Sequence, residues 1–150
     1  MKTVVERKLE ESELTAMANV ASKVRTQLKI AKAAKPEAII AKIGAFIDSV
    51  RKKKRAAPRD EDTRLGLGVL WGEQLRAKTK WEWVHLTFPD GFKSYALVPK
   101  DRHCACFPLN DIPDQMSVKK KYESTSILLF NMVVAGSTPD TKKKSYTPFG

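Results

Sequence analysis

Three glycines interrupt one apolar helical segment, and they restrict the fold of this chain more than any other feature. The segment covers residues 60–77, and the glycines are Gly66, Gly68 and Gly72. Each glycine costs a helix up to about 1 kcal/mol relative to alanine, so three within one helix need a compensating gain. The pattern predicts that another backbone, or the ring of Trp71, approaches this helix closely.

Two amphipathic helices are predicted before the glycine-rich one. Apolar residues recur at three- and four-residue spacing over residues 13–33, and Ser12 is placed to cap the first turn. A second apolar stripe begins at Pro36, a residue suited to the first turn of a helix, and ends in the basic residues 51–55. Cations suit the carboxyl end of a helix because they oppose its dipole. Residues 13–55 are therefore predicted to form a helical hairpin.

Alternating residues after the third helix predict a small antiparallel sheet. Residues 81–88 alternate aliphatic and phenylalanine side chains with tryptophan and histidine, and turn residues follow at 89–91. A second strand is predicted over 92–98, and a short third strand over 103–107. We therefore expect a three-stranded meander that packs against the helices.

The end of the chain is predicted to add one helix and a tail. Residues 127–134 fit a buried strand or a helix, and we favour a helix because residues 124–125 can cap it and Gly136 can end it. Residues 137–150 are polar and lysine-rich, which predicts a mobile, basic tail. The order of helices, strands and helix predicts one α+β domain over residues 1–136.

The charge of the chain indicates an anionic partner. The 150 residues include 28 Lys and Arg against 17 Asp and Glu, a formal net charge of +11. Such an excess attracts nucleic acid, lipid or an acidic protein at long range. Much of it lies in the clusters 51–55, 119–121 and 142–144, although exposed segment ends also explain such clusters. No apolar stretch is long enough to span a bilayer, and the N-terminus turns acidic, so a cytoplasmic location without membrane contact is predicted.

The reactive residues do not form a catalytic or metal-binding motif. Cys104 and Cys106 are predicted to be reduced thiols, because strand neighbours two apart do not suit a disulfide. A strand would point His103 away from both thiols, and no second cluster completes a zinc site. Glycoside cleavage requires two carboxylates, so Glu73 is interpreted more simply as an ion-pair partner of Arg76. We predict no cofactor, no metal and no enzymatic activity, with an enzyme centred on Glu73 or the Cys/His strand as the third alternative.

Aromatic residues of the first predicted strand are a candidate binding surface. Trp81, Trp83 and His85 share one strand face near Lys93, an arrangement that can stack the bases of a single strand. The favoured interpretation is that the N-terminal helices cover this face. The candidate partner-binding residues of the whole chain are Glu73, Trp81, Trp83, His85, Lys93, Lys100 and Arg102.

A set of glycine, tryptophan and proline motifs gives the chain a family resemblance. The motifs are Leu65-Gly-x-Gly-x-x-Trp71-Gly72-Glu73-Gln-Leu75, Trp81-Glu-Trp83-Val84, Asp90-Gly91 and Phe107-Pro108. Over about residues 60–134 the chain resembles a family of small bacterial domains of unknown function, in which such a helix leads into a tryptophan strand, a meander and a last helix. The resemblance implies no catalytic residues. It implies an immunity role, because similar small proteins are encoded beside toxins of bacterial competition, including type VI secretion.

These observations favour a non-enzymatic, cytoplasmic protein-binding module. The leading expectation is an immunity protein that occludes a cognate bacterial toxin. A basic blocker should meet an acidic surface on the toxin, and salt should weaken the association that charge steers. The alternative is a basic nucleic-acid-binding protein that uses the lysine clusters.

Overall fold

The chain has the α+β fold that the sequence predicts. The computed structural model describes residues 3–117 and 126–149, and a 3₁₀ turn at Gln115–Ser117 follows the fourth helix. In chain order the described elements are β1 (Val5–Lys8), α1 (Glu11–Gln27), α2 (Pro36–Arg51), α3 (Glu61–Lys78), β2 (Glu82–Thr87), β3 (Lys93–Val98), β4 (Cys104–Ala105), α4 (Pro108–Asp114), α5 (Ser126–Val134) and β5 (Thr147–Pro148).

Helix α3 lies at the centre of the fold because its glycines admit close neighbours. A Cβ on Gly66 would strike the backbone of α1 at Val20. A Cβ on Gly68 would lie 2.7 Å from the Cα of Leu109, at the start of α4. Real Cβ atoms do not approach other atoms so closely, and backbone cannot move aside as a flexible side chain can. These two glycines therefore let two other helices contact α3.

The third glycine of α3 faces the sheet. A Cβ on Gly72 would lie 2.5 Å from two ring carbons of Trp83 in β2 and 3.1 Å from a methyl group of Leu97 in β3. The predicted close approach is therefore confirmed, but the ring that approaches belongs to Trp83 and not to Trp71. The Trp71 ring is buried, and its Nε1–H donates to the carbonyl oxygen of Ser126 at 3.1 Å.

The two N-terminal helices both pack against α3. Helix α1 begins and ends earlier than the predicted range 13–33, and the prediction that Ser12 caps it was wrong. Ser12 lies inside the helix, and Glu10 precedes the first turn, where its backbone N–H donates to the Glu13 carboxylate at 2.8 Å. Pro36 opens α2 as predicted, because its fixed backbone angle suits a first helical residue.

Strand β2 lies in the middle of a three-stranded antiparallel sheet of order β1-β2-β3. The hairpin of β2 and β3 confirms the prediction, whereas β1 was missed and pairs with β2 so that Glu6 lies opposite Leu86. The third strand predicted over 103–107 shortens to β4. It meets β3 through a bridge between Leu97 and Cys106.

The end of the chain differs from its prediction. Residues 137–149, the C-terminal segment, run back to the sheet instead of forming a mobile tail, and β5 pairs in parallel with β4. The backbone N–H of Tyr146 donates to the Arg102 carbonyl, and that of Phe149 to the Ala105 carbonyl, each at 2.9 Å. Polar composition suggested a tail because pairing with a distant strand leaves no local signal.

The predicted last helix is confirmed as α5. The residues expected to cap it, 124–125, and the lysine cluster 119–121 lie outside the described residues. Among the residues that the structure describes, no helix is long and apolar enough to cross a bilayer.

The sheet is buried on both faces, and the two faces have different cover. On the first face, the helix side, Trp83 and Leu97 belong to the main core with α3. On the opposite face, the segment side, Val84 and its neighbours form a second apolar cluster. That cluster contains Val84, Leu86, Ala96, Val98, Ala105, Phe107 and Tyr146.

Candidate functional site

The tryptophans predicted to bind a partner contribute to the core. Trp83 is only 7% exposed, so it offers no ring face on which a base could stack, and Trp81 is partly buried against the main core. A helix does cover Trp83, but it is α3 and not the N-terminal helices that the favoured interpretation named. Glu73 lies partly exposed on α3 and pairs with Arg76 at 2.8 Å, as its simpler interpretation predicted.

His85 belongs to a polar cluster at the edge of the helix side. Its ring lies edge-on to Tyr95, with 5.4 Å between the ring centroids. The Tyr95 hydroxyl donates to Glu13 at 2.5 Å, and the Arg7 guanidinium donates to the same carboxylate at 2.7 Å. Burial lowers the pKa of His85, with a further contribution from Arg7. Nearby Lys93 is exposed, so this end of the predicted surface faces solvent.

Lys100 and Arg102 lie at a different place, around a cavity of about 810 Å³ on the segment side. The turn between β3 and β4, residues 99–103, lines one part of it. Lys143, Lys144 and Tyr146 of the C-terminal segment line another part, together with Glu6 of β1. We call this the basic cavity. The structure therefore does not bring the predicted partner-binding residues onto one surface.

Arg102 connects several parts of the chain around the basic cavity. Its Nε and Nη2 atoms donate to the two carboxylate oxygens of Glu6, each at 3.0 Å, and Nη2 also contacts Glu82. The Tyr146 hydroxyl donates to Glu6 at 2.8 Å. The hydrogen bonds from Arg102 are the main cause that lowers the pKa of Glu6. Arg102 thus joins β1, β2 and the C-terminal segment, which makes it a structural residue of the cavity.

The lysines of the basic cavity remain exposed to solvent. Lys100, Lys143 and Lys144 are all exposed, and no ion pair involves them among residues 3–117 and 126–149. The carboxylate of Asp101 lies among them but contacts Nδ1 of His103 at 2.5 Å. Three ammonium groups from two distant parts of the chain therefore stand around one cavity.

The backbone around the basic cavity is strained. Arg102, Lys144 and Tyr146 have φ angles of 57°, 58° and 49°. Left-handed backbone at residues other than glycine costs of order 1–3 kcal/mol each, and it clusters at functional sites. Hydrogen bonds between the two segments hold it, since the N–H of Lys144 donates to the Asp101 carbonyl at 2.9 Å.

The structure corrects one prediction about the cysteines. His103 was expected to face away from both thiols, but its Nε2 lies 3.4 Å from Sγ of Cys104 and 3.0 Å from the Thr138 hydroxyl. The prediction failed because His103 lies in a bend before β4 and not within a regular strand. Burial raises the pKa of the Cys104 thiol to about 11, so it stays protonated and a weak nucleophile at neutral pH.

The second thiol is equally inert. Cys106 is buried, and burial raises its pKa far above the usual range. Both cysteines are free thiols. Within residues 3–117 and 126–149, no group of three or more His, Cys, Asp or Glu side chains could hold a metal ion.

Sequence reasoning found only part of the basic cavity. It proposed Lys100 and Arg102 but assigned Lys143 and Lys144 to a mobile tail. The cluster at 142–144 was the available signal, and it had no predicted place in the fold. No protein-family model, curated protein or solved structure matches the chain. The family resemblance of its motifs therefore stays a prediction.

Proposed function

We propose that this protein is a non-enzymatic protein-binding module whose basic cavity binds an acidic surface of its partner. The form that we favour is an immunity protein, in which the partner is a cognate bacterial toxin and binding occludes it. The observation that supports this proposal is the grouping of Lys100, Lys143 and Lys144 around one cavity without carboxylate partners of their own among the described residues.

The cavity has one cation that is paired, Arg102, and three exposed lysines, which we call its rim. Arg102 pairs with Glu6 and Glu82, so it fixes the positions of the strands around the cavity. Its charge is offset by these two carboxylates and attracts a partner less strongly. None of the three lysines forms an ion pair with another residue that the structure describes, so their exposed ammonium groups remain hydrated and available to a partner. Aspartate and glutamate side chains on a partner would pair with this rim. Such rim charges mainly raise the association rate and determine which partners are rejected.

A protein partner is favoured over nucleic acid because the predicted stacking platform is missing. Binding to single strands combines phosphate contacts with aromatic side chains on which bases stack. Trp83 is buried beneath α3, and Trp81 is only partly exposed. Lysines alone would give salt-sensitive, unspecific retention of nucleic acid.

The immunity form of the proposal requires a toxin-like protein encoded beside this one, and a host genome without such a neighbour would contradict that form. Where the neighbour is present, the two proteins are expressed together. Cell survival and the association rate of the two purified proteins are measured for Lys100→Glu/Lys143→Glu/Lys144→Glu. The matched control is Lys52→Glu/Lys53→Glu/Lys54→Glu, which makes the same change in net charge on exposed residues after α2. We expect the cavity variant to associate at least roughly tenfold more slowly and the control to differ by about twofold or less.

Three results separate this function from its alternatives. Equal slowing by both variants would show that only net charge matters and would contradict a role for the basic cavity. Sub-micromolar binding to a defined DNA or RNA at physiological salt, lost in the cavity variant, would replace the proposal with nucleic-acid binding. A folded Glu73→Ala protein that still binds the toxin but no longer protects cells would indicate an enzyme, because occlusion requires only a surface.

A further inference from the structure

A second cavity, of about 350 Å³, has walls of opposite character to the basic cavity. It opens between the β2–β3 turn, the start of α4 and the end of the C-terminal segment. We call it the aromatic cleft. Its lining residues include Phe88, Asp90, Phe92, Phe107, Asp111 and Phe149.

The phenylalanine rings form a continuous wall. The centroid of Phe107 lies 5.9 Å from that of Phe88 and 5.5 Å from that of Phe92, and Phe88 and Phe92 are 5.9 Å apart. Phe92 is nevertheless 44% exposed, which makes it one of the few large apolar side chains in solvent among residues 3–117 and 126–149. The wall therefore presents ring surface that the described residues do not cover.

The charged groups that line the cleft are both carboxylates. Asp90 and Asp111 line it, no lysine or arginine does, and neither carboxylate is in an ion pair among the residues that the structure describes. One oxygen of Asp90 accepts from the backbone N–H of Phe92 at 3.0 Å. Asp111 is partly buried, and burial, with the nearby charge of Asp114, raises its pKa to about 6, although a hydrogen bond with the backbone of Phe107 opposes this rise.

Two carboxylates without a cation are unexpected on a chain with a net charge of +11. Asp90 is exposed, so the energetic argument concerns Asp111. A half-buried charge is unfavourable unless an opposite charge or hydrogen bonds compensate it fully. In this protein lysine and arginine outnumber the acids, yet none reaches the cleft from within the described residues. A cation brought by another molecule would provide the compensation.

We infer that the aromatic cleft binds an arginine side chain of a partner protein. A guanidinium is planar, so it stacks on an aromatic ring while it donates two parallel hydrogen bonds to a carboxylate. A lysine ammonium is a compact and strongly hydrated charge, and it gains less from a wall of phenylalanine rings. The arrangement of Phe92 beside Asp90 and Asp111 thus suits arginine better.

This site is independent of the basic cavity and extends the recognition that we propose there. Tyr146 lines the basic cavity and Phe149 lines the aromatic cleft, so both sites border the C-terminal segment. A partner that offers an acidic surface to one site and an arginine to the other would bind in a single orientation. Charges of opposite sign at separate points reject partners that match only one of them.

The test uses the full chain and three capped tripeptides, acetyl-Gly-Arg-Gly-amide and its lysine and citrulline counterparts. Citrulline keeps the shape of arginine but has no charge. NMR titration follows the ring signals of the phenylalanines at pH 7.5. We expect the arginine peptide to shift the Phe92 signals in a saturable way, the lysine peptide to bind at least about fivefold more weakly, and the citrulline peptide to cause no saturable shift.

Variants then identify the residues responsible. Asp111→Asn preserves shape and should weaken binding of the arginine peptide at least about tenfold, as should Phe92→Ala. Asp140→Asn, an exposed position of the C-terminal segment outside the cleft, is the matched control and should bind like the parent. Binding should also weaken as the pH falls through 6, because Asp111 then takes up a proton.

Several results would overturn the inference. Equal binding of the citrulline peptide, equal binding of the lysine peptide, or unchanged affinity in a folded Asp111→Asn protein would each do so. Absence of any saturable shift with the arginine peptide would do so without any variant. None of these results depends on the lysines of the basic cavity, so the proposed function would be judged separately from its own experiment.

Discussion

The two faces of the sheet are covered in contrasting ways. On the helix side, glycines let α3 approach the sheet so closely that the Trp83 ring lies directly against Gly72. On the segment side, the C-terminal segment is held by backbone hydrogen bonds and by the contacts among Glu6, Arg102 and Tyr146. The first cover is mainly apolar, with the polar cluster of Arg7, Glu13 and Tyr95 at its edge. The second contains strained backbone, partly buried charge and both proposed binding sites.

This contrast separates stability from recognition. Dense apolar packing provides most of the favourable free energy of folding, while strained backbone and half-buried charges lower it. Both proposed binding sites border the C-terminal segment, through Lys143 and Lys144 in one case and Phe149 in the other. We infer that the helix side stabilises the fold and thereby supports the less stable features of the segment side.

The largest effect is expected from closing a contact on the helix side. Gly68→Ala would place a Cβ against the backbone of Pro108 and 2.7 Å from the Cα of Leu109. Helix α4 would have to move away from α3, so we expect the free energy of unfolding to fall by about 3 kcal/mol or more. Urea unfolding followed by circular dichroism measures the change.

The control for that prediction is a second helical glycine with a flexible neighbour. A Cβ on Gly44 in α2 would lie 2.8 Å from the terminal methyl group of Ile127, which is 40% exposed and can turn away. Because alanine favours a helix over glycine by about 1 kcal/mol, Gly44→Ala should change stability little or raise it. Equal effects of the two substitutions would show that close approach to α4 is not what requires Gly68.

A smaller effect is expected from loosening the segment side. Tyr146→Ala removes a buried ring from the second apolar cluster and a hydrogen bond to Glu6. We expect a loss of about 2 kcal/mol, together with faster proteolytic cleavage within residues 137–149. Tyr146→Phe keeps the ring and should lose about 1 kcal/mol or less. If Tyr146→Ala leaves both melting and proteolysis unchanged, the Tyr146 side chain does not hold the C-terminal segment to the sheet.

The sequence predicted the helix side far better than the segment side, for a physical reason. Local patterns carry the helical periodicities, the strand alternation of residues 81–88, and the helix-start signal at Pro36. The glycines of α3 predicted close packing because each glycine lowers the stability of a helix, and this cost is visible from the sequence of that helix alone. They could not reveal that Trp83 is the approaching ring, since that depends on how the sheet packs against α3.

The segment side depends on pairings between distant parts of the chain. Strand β1 (Val5–Lys8) contains mostly charged residues, so it shows no strand pattern in the sequence. One contact that holds it, between Glu6 and Arg102, joins residues 96 positions apart. β5 is two residues long, and nothing local distinguishes it from a polar tail. The basic cavity and the aromatic cleft were therefore only partly predictable, because each draws its lining from segments that join only through these pairings.

The smallest expected effect is a gain in stability, and it tests whether the aromatic cleft lowers stability for the sake of recognition. Burial raises the pKa of Asp111 to about 6 from the usual 3.8, so its charge disfavours the folded state above pH 6 and has no such effect below pH 4. Asp111→Asn removes the charge and can still accept a hydrogen bond, so it should stabilise the protein by about 1 kcal/mol at pH 7.5. The advantage over the parent should disappear as the pH is lowered from about 6 to about 4, where the parent takes up the proton.

Thermal unfolding of both proteins from pH 3.5 to 7.5 measures this, with Asp140→Asn as the exposed control that should show no such trend. A difference that is constant with pH would mean that the Asp111 carboxylate is compensated within the fold, and the need for an external arginine would lose its main energetic argument.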